Sequence, residues 1–181
     1  MKISIFNFFL FLFLIINLQV KAGTIATINI QKIIDQNIQF SNFISFFSEK
    51  KNKYENLIID LETNLINEKK NLDESSIILN EKKLEPLIKE YYKNLSNFEY
   101  KVDEMNLYLS KLFDINQKII ISEIIEISKS VSIKQNIDII LDKDNYFIAN
   151  DTIDISDFVI KELNNKDIKF QLTNKEDLID K

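Results

Sequence analysis

Residues 84–119, LEPLIKEYYKNLSNFEYKVDEMNLYLSKLFDINQKI, decide the fold of this chain of 181 residues. Their apolar side chains recur in alternating steps of four and three residues, the spacing of the seam along which two helices pack in a coiled coil. Asn116 is the one polar member, and a polar seam residue sets the register of the two helices. The seam residues are Leu84, Ile88, Tyr91, Leu95, Phe98, Val102, Met105, Leu109, Leu112, Asn116 and Ile119. The stretch therefore predicts a long helix with a helical partner.

A second seam upstream supplies that partner. Its members are Phe40, Phe43, Phe47, Tyr54, Leu57, Leu61 and Leu65, with Lys50 filling one gap. They predict a helix from Gln31 to about Leu72. The polar residues 73–76, DESS, then favour a turn, and Asn80 followed by Glu81 is typical of a helix start. We therefore expect an antiparallel helical hairpin, the arm, over residues 39–134, with its tip at about 73–80.

The two predicted helices differ somewhat in length. At about 1.5 Å per residue, the first would extend roughly 60 Å and the second, over residues 80–134, roughly 80 Å. Pro86 lies near the start of the second helix, and we expect it to kink the helix or to delay its start.

Short apolar segments flank the arm and predict a small β-sheet body. Residues 24–30, TIATINI, are predicted to form a strand in the segment 23–38, before the first helix takes over. In the segment 135–164, residues 137–141 and 146–149 predict a β-hairpin around the turn DKDN. Residues 154–157 then open a short helix, and the polar tail, 165–181, is expected to fray. The fold class is therefore mainly α, a long coiled-coil hairpin on a small sheet.

The helix widens its apolar face where it approaches the body. Ile120, Ile121, Ile124, Ile125, Ile127 and Val131 follow the seam. Two helices need only one apolar stripe, so we expect this end to be buried against further partners. Three strands and one short helix make a thin core, and association of several chains through the body would enlarge it. The residues expected in this body or interchain core are Ile120, Ile124, Ile127, Ile139 and Leu141.

Composition excludes several kinds of chemistry. The chain has one Gly, one Pro and no Cys, His, Trp or Arg, so disulfides, zinc sites and imidazole catalysis are excluded. A net charge of −5 without Arg makes it a poor candidate for binding nucleic acid. Asp142 and Asp144 resemble the start of a calcium loop but lack its later Gly and Glu, and so predict a turn. We expect no enzyme activity, no cofactor and no metal.

The first 22 residues, MKISIFNFFLFLFLIINLQVKA, have the layout of a secretory signal peptide. Lys2 is followed by an apolar run, and Val20 and Ala22 fit a cleavage site. The alternative is an uncleaved anchor, because the apolar run approaches the length of a membrane span. We expect cleavage, export to the periplasm, and a mature chain near Gly23 with 21 Lys, 28 acidic residues and a net charge of −7.

The layout of leader, strand, hairpin, strands and short helix resembles the Skp/OmpH family of periplasmic chaperones. The most specific stretch is IDIILDKDNYFIANDTIDISDFVIKELN, residues 137–164, and IATINIQKII, residues 25–34, is similar to the family's first strand and helix. The resemblance implies a jellyfish-shaped homotrimer whose arms enclose a cavity. It also implies holding of unfolded outer-membrane β-barrel proteins without ATP, with the barrel-assembly machinery as a further partner.

The sequence departs from that family in charge and in length. The arm, 39–134, carries 14 Lys against 16 acidic residues, whereas well-known members have cationic arms, so membrane or lipopolysaccharide binding stays an open question. Residues 165–181 also extend past the usual end of the family. We therefore expect clients to be gripped mainly through apolar and neutral polar surface.

Five residues are candidates for contact with clients or surfaces. Phe46 lies off the seam and is either core packing or a client contact in the cavity. Lys69, Lys70, Lys82 and Lys83 lie near the tip and are either a solvated surface or a contact for client or membrane. Two alternatives to a chaperone stay open: a periplasmic coiled-coil adaptor that docks an envelope complex through its tip, and a structural protein of the cell envelope.

Overall fold

The computed structural model of the protein describes residues 23–173. The predicted signal peptide, 1–22, and the end of the tail, 174–181, lie outside the described residues. Four α-helices and two strands follow in the order β1 (Ile25–Ile28), α1 (Ile30–Asp35), α2 (Ile38–Ile78), α3 (Glu81–Gln135), β2 (Ile139–Asp142) and α4 (Ser156–Asn165). Helices α2 and α3 form the arm, and the remaining elements form the body at its base.

The tip of the arm is sharper than the sequence predicted. Helix α2 continues to Ile78, so the expected break at residues 73–76 is wrong, and only Leu79 and Asn80 separate the two helices. The polar residues stay helical because their groups find partners within α2. Lys69 pairs with Asp73, and the Ser76 hydroxyl donates to the Asp73 carbonyl over 2.6 Å. Asn80 caps α3 as predicted, accepting from the Lys83 amide over 3.2 Å.

Pro86 does not delay the second helix. It is the sixth residue of α3, which begins at Glu81. The ring therefore lies in the second turn, where the missing N–H removes the bond to the Lys82 carbonyl.

A break between α1 and α2 was not predicted. One helix was expected from Gln31 onward, but α1 ends at Asp35, and Asn37 caps the start of α2 by accepting from the Phe40 amide over 2.7 Å. The side-chain amide of Asn37 donates to the side-chain oxygen of Asn164 over 3.0 Å. The side-chain amide of Asn164 in turn donates to the Gln36 carbonyl over 3.2 Å. The last turn of α4 thus holds the bend where the body meets the arm.

The sheet has two parallel strands instead of three strands with a hairpin. Ile25 lies opposite Ile139 and Ile28 opposite Asp142, because the arm carries the chain out and back to the same end. The predicted strand at 146–149 is wrong. The other edge of β1 is taken by the segment before α4, where the Ile155 amide donates to the Thr27 carbonyl over 2.9 Å. Residues 146–149 follow a 3-10 turn at Lys143–Asn145 and do not pair with the free edge of β2.

The core lies where α3 meets α1, the start of α2 and α4. The buried face of α3 advances in steps of four through Tyr108, Leu112, Asn116, Ile120 and Ile124. The predicted seam members Leu109 and Ile119 are only half-buried. This face drifts around the helix because each step of four residues turns by about 40° beyond one full turn. It drifts toward Val159 and Leu163 of α4, which cover this side of the arm.

The residues expected in the body core divide into two groups. Ile120 and Ile124 are fully buried within one chain. Ile127 and Leu141 are half-buried, and Ile139 is half-exposed, so Ile139 does not belong to the core of the single chain. It lies on β2, which pairs with β1 along one edge.

Candidate functional site

Both helices of the arm expose large apolar side chains that their pairing leaves uncovered. On α2 these are Ile59 and Ile66, one heptad apart, and on α3 they are Tyr92, Tyr100 and Leu107, at steps of eight and seven. Residues at these spacings share one face of a helix. We call these five residues the arm stripes. They alternate with Lys, Asn and acidic residues, so the arm offers dispersed apolar contacts on a polar surface.

The tip carries the most exposed apolar side chains of the arm among the described residues. Ile77 and Ile78 expose 85% and 82% of their surface beside the turn at Leu79 and Asn80. The four predicted lysines lie within the last three turns of α2 and the first turn of α3, and all four are exposed. Lys69 is paired with Asp73, whose hydrogen bond raises the pKa of Lys69. The structure therefore brings the predicted lysines, Lys69, Lys70, Lys82 and Lys83, to the end of the arm beside two isoleucines.

Phe46, for which the sequence allows core packing or a client contact, lies at the margin of the core. It is half-buried, packs against the core, and carries the Lys50 ammonium 5.4 Å from its ring centre. A cation at that distance interacts with the ring face. The other phenylalanines of α2 form an aromatic cluster with one phenylalanine of α3 and one of the tail, and the sequence did not predict this cluster. Its members are Phe40, Phe43, Phe47, Phe113 and Phe170, with neighbouring ring centres 5.4 to 6.4 Å apart.

Phe170 belongs to the tail that was expected to fray. Residues 166–173, which we call the strap, instead lie along the base of the arm. The Phe170 ring stacks on Phe43 at 5.7 Å and meets the edge of Phe40 at 5.6 Å. Ile168 is buried among the core residues. Lys166 pairs with Glu123 and with Glu126 on α3, and the hydrogen bond to Glu123 is the main reason that the pKa of Lys166 is raised.

Two side-chain amides hold the backbone of the strap. On α2, Gln39 donates to the Lys166 carbonyl over 2.6 Å and accepts from the Ile168 amide over 2.8 Å. On α3, Asn116 donates to the Gln171 carbonyl over 2.9 Å and accepts from the Gln171 amide over 2.7 Å. Each amide therefore meets one backbone donor and one backbone acceptor, as a neighbouring strand would. The Tyr108 hydroxyl adds a bond to the Thr173 carbonyl over 3.0 Å.

The body exposes apolar surface of its own. Ile25 and Ile139 face each other across the two strands and both are about half-exposed, Ile125 and Ile133 are exposed on the last turns of α3, and Phe147 is fully exposed. An open groove with a cavity volume of about 360 Å³ lies between the end of α3 and the two strands, and Ile125 lines it. Its apolar lining comes from Ile28, Ile30, Ile121, Ile124, Ile125, Ile137 and Ile140. This is the widened isoleucine face that the sequence predicted.

Within residues 23–173 no three His, Cys, Asp or Glu side chains are grouped as a metal site would require. The Asp142 carboxylate accepts from the Ile30 amide over 3.3 Å, which ties the end of β2 to the start of α1. None of the helices described is both long and apolar enough to cross a membrane.

Comparison with known proteins agrees with this architecture. The family model described as outer membrane protein (OmpH-like) matches residues 24–163, which span β1, the arm, β2 and most of α4. The chain belongs to the OmpH-like family. The strap lies beyond the residues that the family model matches.

A solved structure shares the OmpH-like fold of this chain. It is the crystal structure described as an OmpH-like outer membrane chaperone from Caulobacter crescentus, with a TM-score of 0.72. The match covers 84% of this chain and 90% of the other at 14% sequence identity. The predicted fold class, a long helical hairpin on a small sheet, is thereby confirmed. No curated protein is similar enough in sequence to count as a match.

Sequence reasoning missed two structural features of this OmpH-like chain. The arm stripes lie off the heptad seam, and their spacing of seven or eight residues repeats too few times to stand out in the sequence. The strap did leave a signal, because Ile168, Phe170 and Leu172 alternate with Lys169 and Gln171. Alternation of this kind marks an extended segment with one buried face, but the polar residues around it concealed it.

Proposed function

We propose that this OmpH-like protein is an ATP-independent holdase that binds unfolded outer-membrane β-barrel proteins in a cavity between its arms and prevents their aggregation. The observation that carries the proposal is the exposure of the arm stripes. A hairpin that served only as a spacer would gain nothing from Ile59, Ile66, Tyr92, Tyr100 and Leu107 on its surface. Dispersed apolar contacts on a polar surface suit a protein that binds many sequences weakly.

The charge of the arm supports apolar capture. The arm carries 14 Lys against 16 acidic residues, and such a balance offers no strong attraction for anionic surfaces. At the tip, Ile77 and Ile78 add apolar area beside Lys69, Lys70, Lys82 and Lys83. We propose Phe46 and these lysines as secondary contacts for the client.

A cavity between arms requires several copies of the chain, and we propose a homotrimer joined through the body. Support comes from Ile125 in the apolar groove and from the half-exposed pair Ile25 and Ile139, since a monomer would leave these surfaces in water. The half-buried Ile127 and Leu141 lie at their margin. Burying the three isoleucines would add the apolar core that the two-stranded body lacks.

We propose that the leader 1–22 directs export to the periplasm and is then cleaved. Membership of the OmpH-like family supports it, and outer-membrane clients cross this compartment. The barrel-assembly machinery is the proposed recipient of the client.

A solubility assay tests the holding function. A urea-unfolded β-barrel protein is diluted with substoichiometric trimer and no nucleotide, and light scattering is followed. We expect the wild type to keep the client soluble, and Ile59→Ser with Ile66→Ser to lose at least half of that effect. The control is Asn52→Ser with Asn64→Ser, at exposed polar positions of the same helix, and it should match the wild type.

Two results would count against the holdase. A monomeric mass in solution removes the cavity and with it the proposal. Failure to protect several different barrel proteins, by a trimer of correct helicity, would favour the alternative adaptor function through the tip.

A further inference from the structure

The strap is bound through its backbone, so the site beneath it is not restricted to the sequence of the strap. Gln39 and Asn116 together contact two N–H and two C=O groups of residues 166–171. Every extended polypeptide presents such groups, apart from proline. Main-chain hydrogen bonds of this kind give affinity for a strand, while pockets for alternate side chains give the specificity.

Those pockets accept the apolar side chains of two alternate residues, whereas the next one, Leu172, is exposed. Ile168 is buried and Phe170 enters the aromatic cluster, whereas Lys169 and Gln171 are exposed. This alternation is the sequence pattern of a strand of an outer-membrane barrel, which is apolar toward lipid and polar toward the lumen. The strap therefore has the same chemistry as the clients that the protein is proposed to hold.

We propose that the cleft beneath the strap, formed by Gln39, Phe40, Phe43, Tyr108 and Asn116, is a binding site for an extended client segment with alternating apolar side chains, and that the strap occupies it as an internal competitor. The inference rests on the proposed function for the identity of the partner. The site itself rests on the contacts of the strap.

The outcome of the competition between the strap and a client segment depends on whether each of them is tethered near the cleft. The strap follows α4 directly, and a segment on so short a connection acts at an effective concentration of the order of millimolar. A single client segment in dilute solution is therefore excluded. A client that is already held by the arm stripes is itself confined near the cleft and competes on similar terms. The strap would thus admit segments of captured clients and exclude free peptides.

The test loosens the strap without altering the cleft. Gln171→Pro removes the N–H that donates to Asn116, whereas Gln171→Ala keeps that N–H and removes only an exposed side chain. The probe is a fluorescein-labelled peptide of residues 166–173, KDIKFQLT, followed by fluorescence anisotropy with the full chain. We expect Gln171→Pro to bind the probe at least tenfold more tightly than Gln171→Ala. A probe with Ala in place of its Phe should bind at least tenfold more weakly.

A second pair of variants keeps the test valid if Gln171→Pro fails to fold. Phe170→Ala also loosens the strap, and Leu172→Ala changes a side chain that is half-exposed. Tighter probe binding by Phe170→Ala, and displacement of the probe by a urea-unfolded barrel protein, support the inference. Equal probe binding within both pairs overturns it, as does a bound probe that the unfolded barrel protein cannot displace.

The outcomes separate the two proposals. If the wild type protects barrel proteins from aggregation while both pairs bind the probe equally, the holdase stands and the competing strap is wrong. If the wild type protects none of them while the loosened variants bind the probe tenfold more tightly, the holdase is wrong and the cleft is a peptide site with a different partner.

Discussion

The buried carboxamide of Asn116 pairs with both backbone polar groups of Gln171, at 2.7 and 2.9 Å, across 55 residues of chain. Asn116 is fully buried on α3 and also donates to the Leu112 carbonyl over 2.8 Å. The polar seam position thus serves a second purpose. Besides any effect on helix register, it binds an extended segment to the base of the arm.

Replacing Asn116 by Leu should destabilise the protein by about 1–3 kcal/mol, because the strap amide and carbonyl then lose their partner in a dry site. Urea unfolding followed by circular dichroism measures the loss. The control is Gln117→Leu at the exposed neighbouring position, where a change within about 0.5 kcal/mol is expected. A more stable Asn116→Leu protein would show that the bonds to Gln171 contribute nothing.

Asn136 ends α3 in the left-handed conformation, with φ of 54°, and its amide donates to the Ser132 carbonyl. Asn136→Val should lower the free energy of unfolding by about 1–2 kcal/mol, since a β-branched residue is strained at positive φ. Asn136→Gly should equal or exceed the wild type, because glycine is the usual residue at this position. Thermal unfolding of both variants gives the comparison, and equal midpoints would contradict it.

Ser156 closes the contact between β1 and α4. Its hydroxyl is fully buried and accepts from the Asn29 amide over 2.8 Å. Ser156→Ala leaves that amide without a partner and should cost about 1–3 kcal/mol in chemical unfolding. Ser122→Ala, at an exposed position of α3, should change the stability by less than about 0.5 kcal/mol. Equal effects of the two substitutions would remove the role assigned to the hydroxyl.

Tyr108 links stability to alkaline pH. Burial raises the pKa of its phenol above the ordinary value of about 10. The unfolded chain therefore loses this proton at a lower pH than the folded one, so the contribution of Tyr108 is complete below about pH 10 and is lost as the pH rises through the raised pKa. Tyr108→Phe should show a shallower loss of stability between pH 9 and about 11. Parallel curves for the two proteins would exclude this linkage.

The arm could be predicted because its causes are local. Heptad spacing and the Asn80 cap are written into consecutive residues, and the structure has both helices and the cap. The end of α2 was predicted too early, at about Leu72, because DESS favours a turn only when its polar groups lack other partners. In α2, Lys69 and the Ser76 hydroxyl supply partners, so the helix continues to Ile78.

The body was harder to predict because its causes lie far apart in sequence. The segment 146–149 has strand-forming residues, but a 3-10 turn at Lys143–Asn145 precedes it, and the chain pairs with β1 only later, at Asp154. Likewise, nothing near Asn116 indicates that Gln171 binds it. A single sequence does not show that the helix pairing leaves residues such as Tyr92 and Tyr100 exposed. The arm stripes were therefore found only in the structure.

The parallel pairing of β1 with β2 has a consequence for the order of folding. Ile25 finds its partner, Ile139, only after the whole arm has been synthesised and has turned back. Helix pairing near the tip closes a short loop, whereas the strands close the longest, and loop closure costs more as the loop lengthens. The two helices of the arm should therefore pair first near the tip and then toward the base, and the strands of the body should pair last. Until then β1 is an unpaired apolar strand. The folding chain itself therefore passes through an aggregation-prone state, the kind of state that the protein is proposed to protect in its clients.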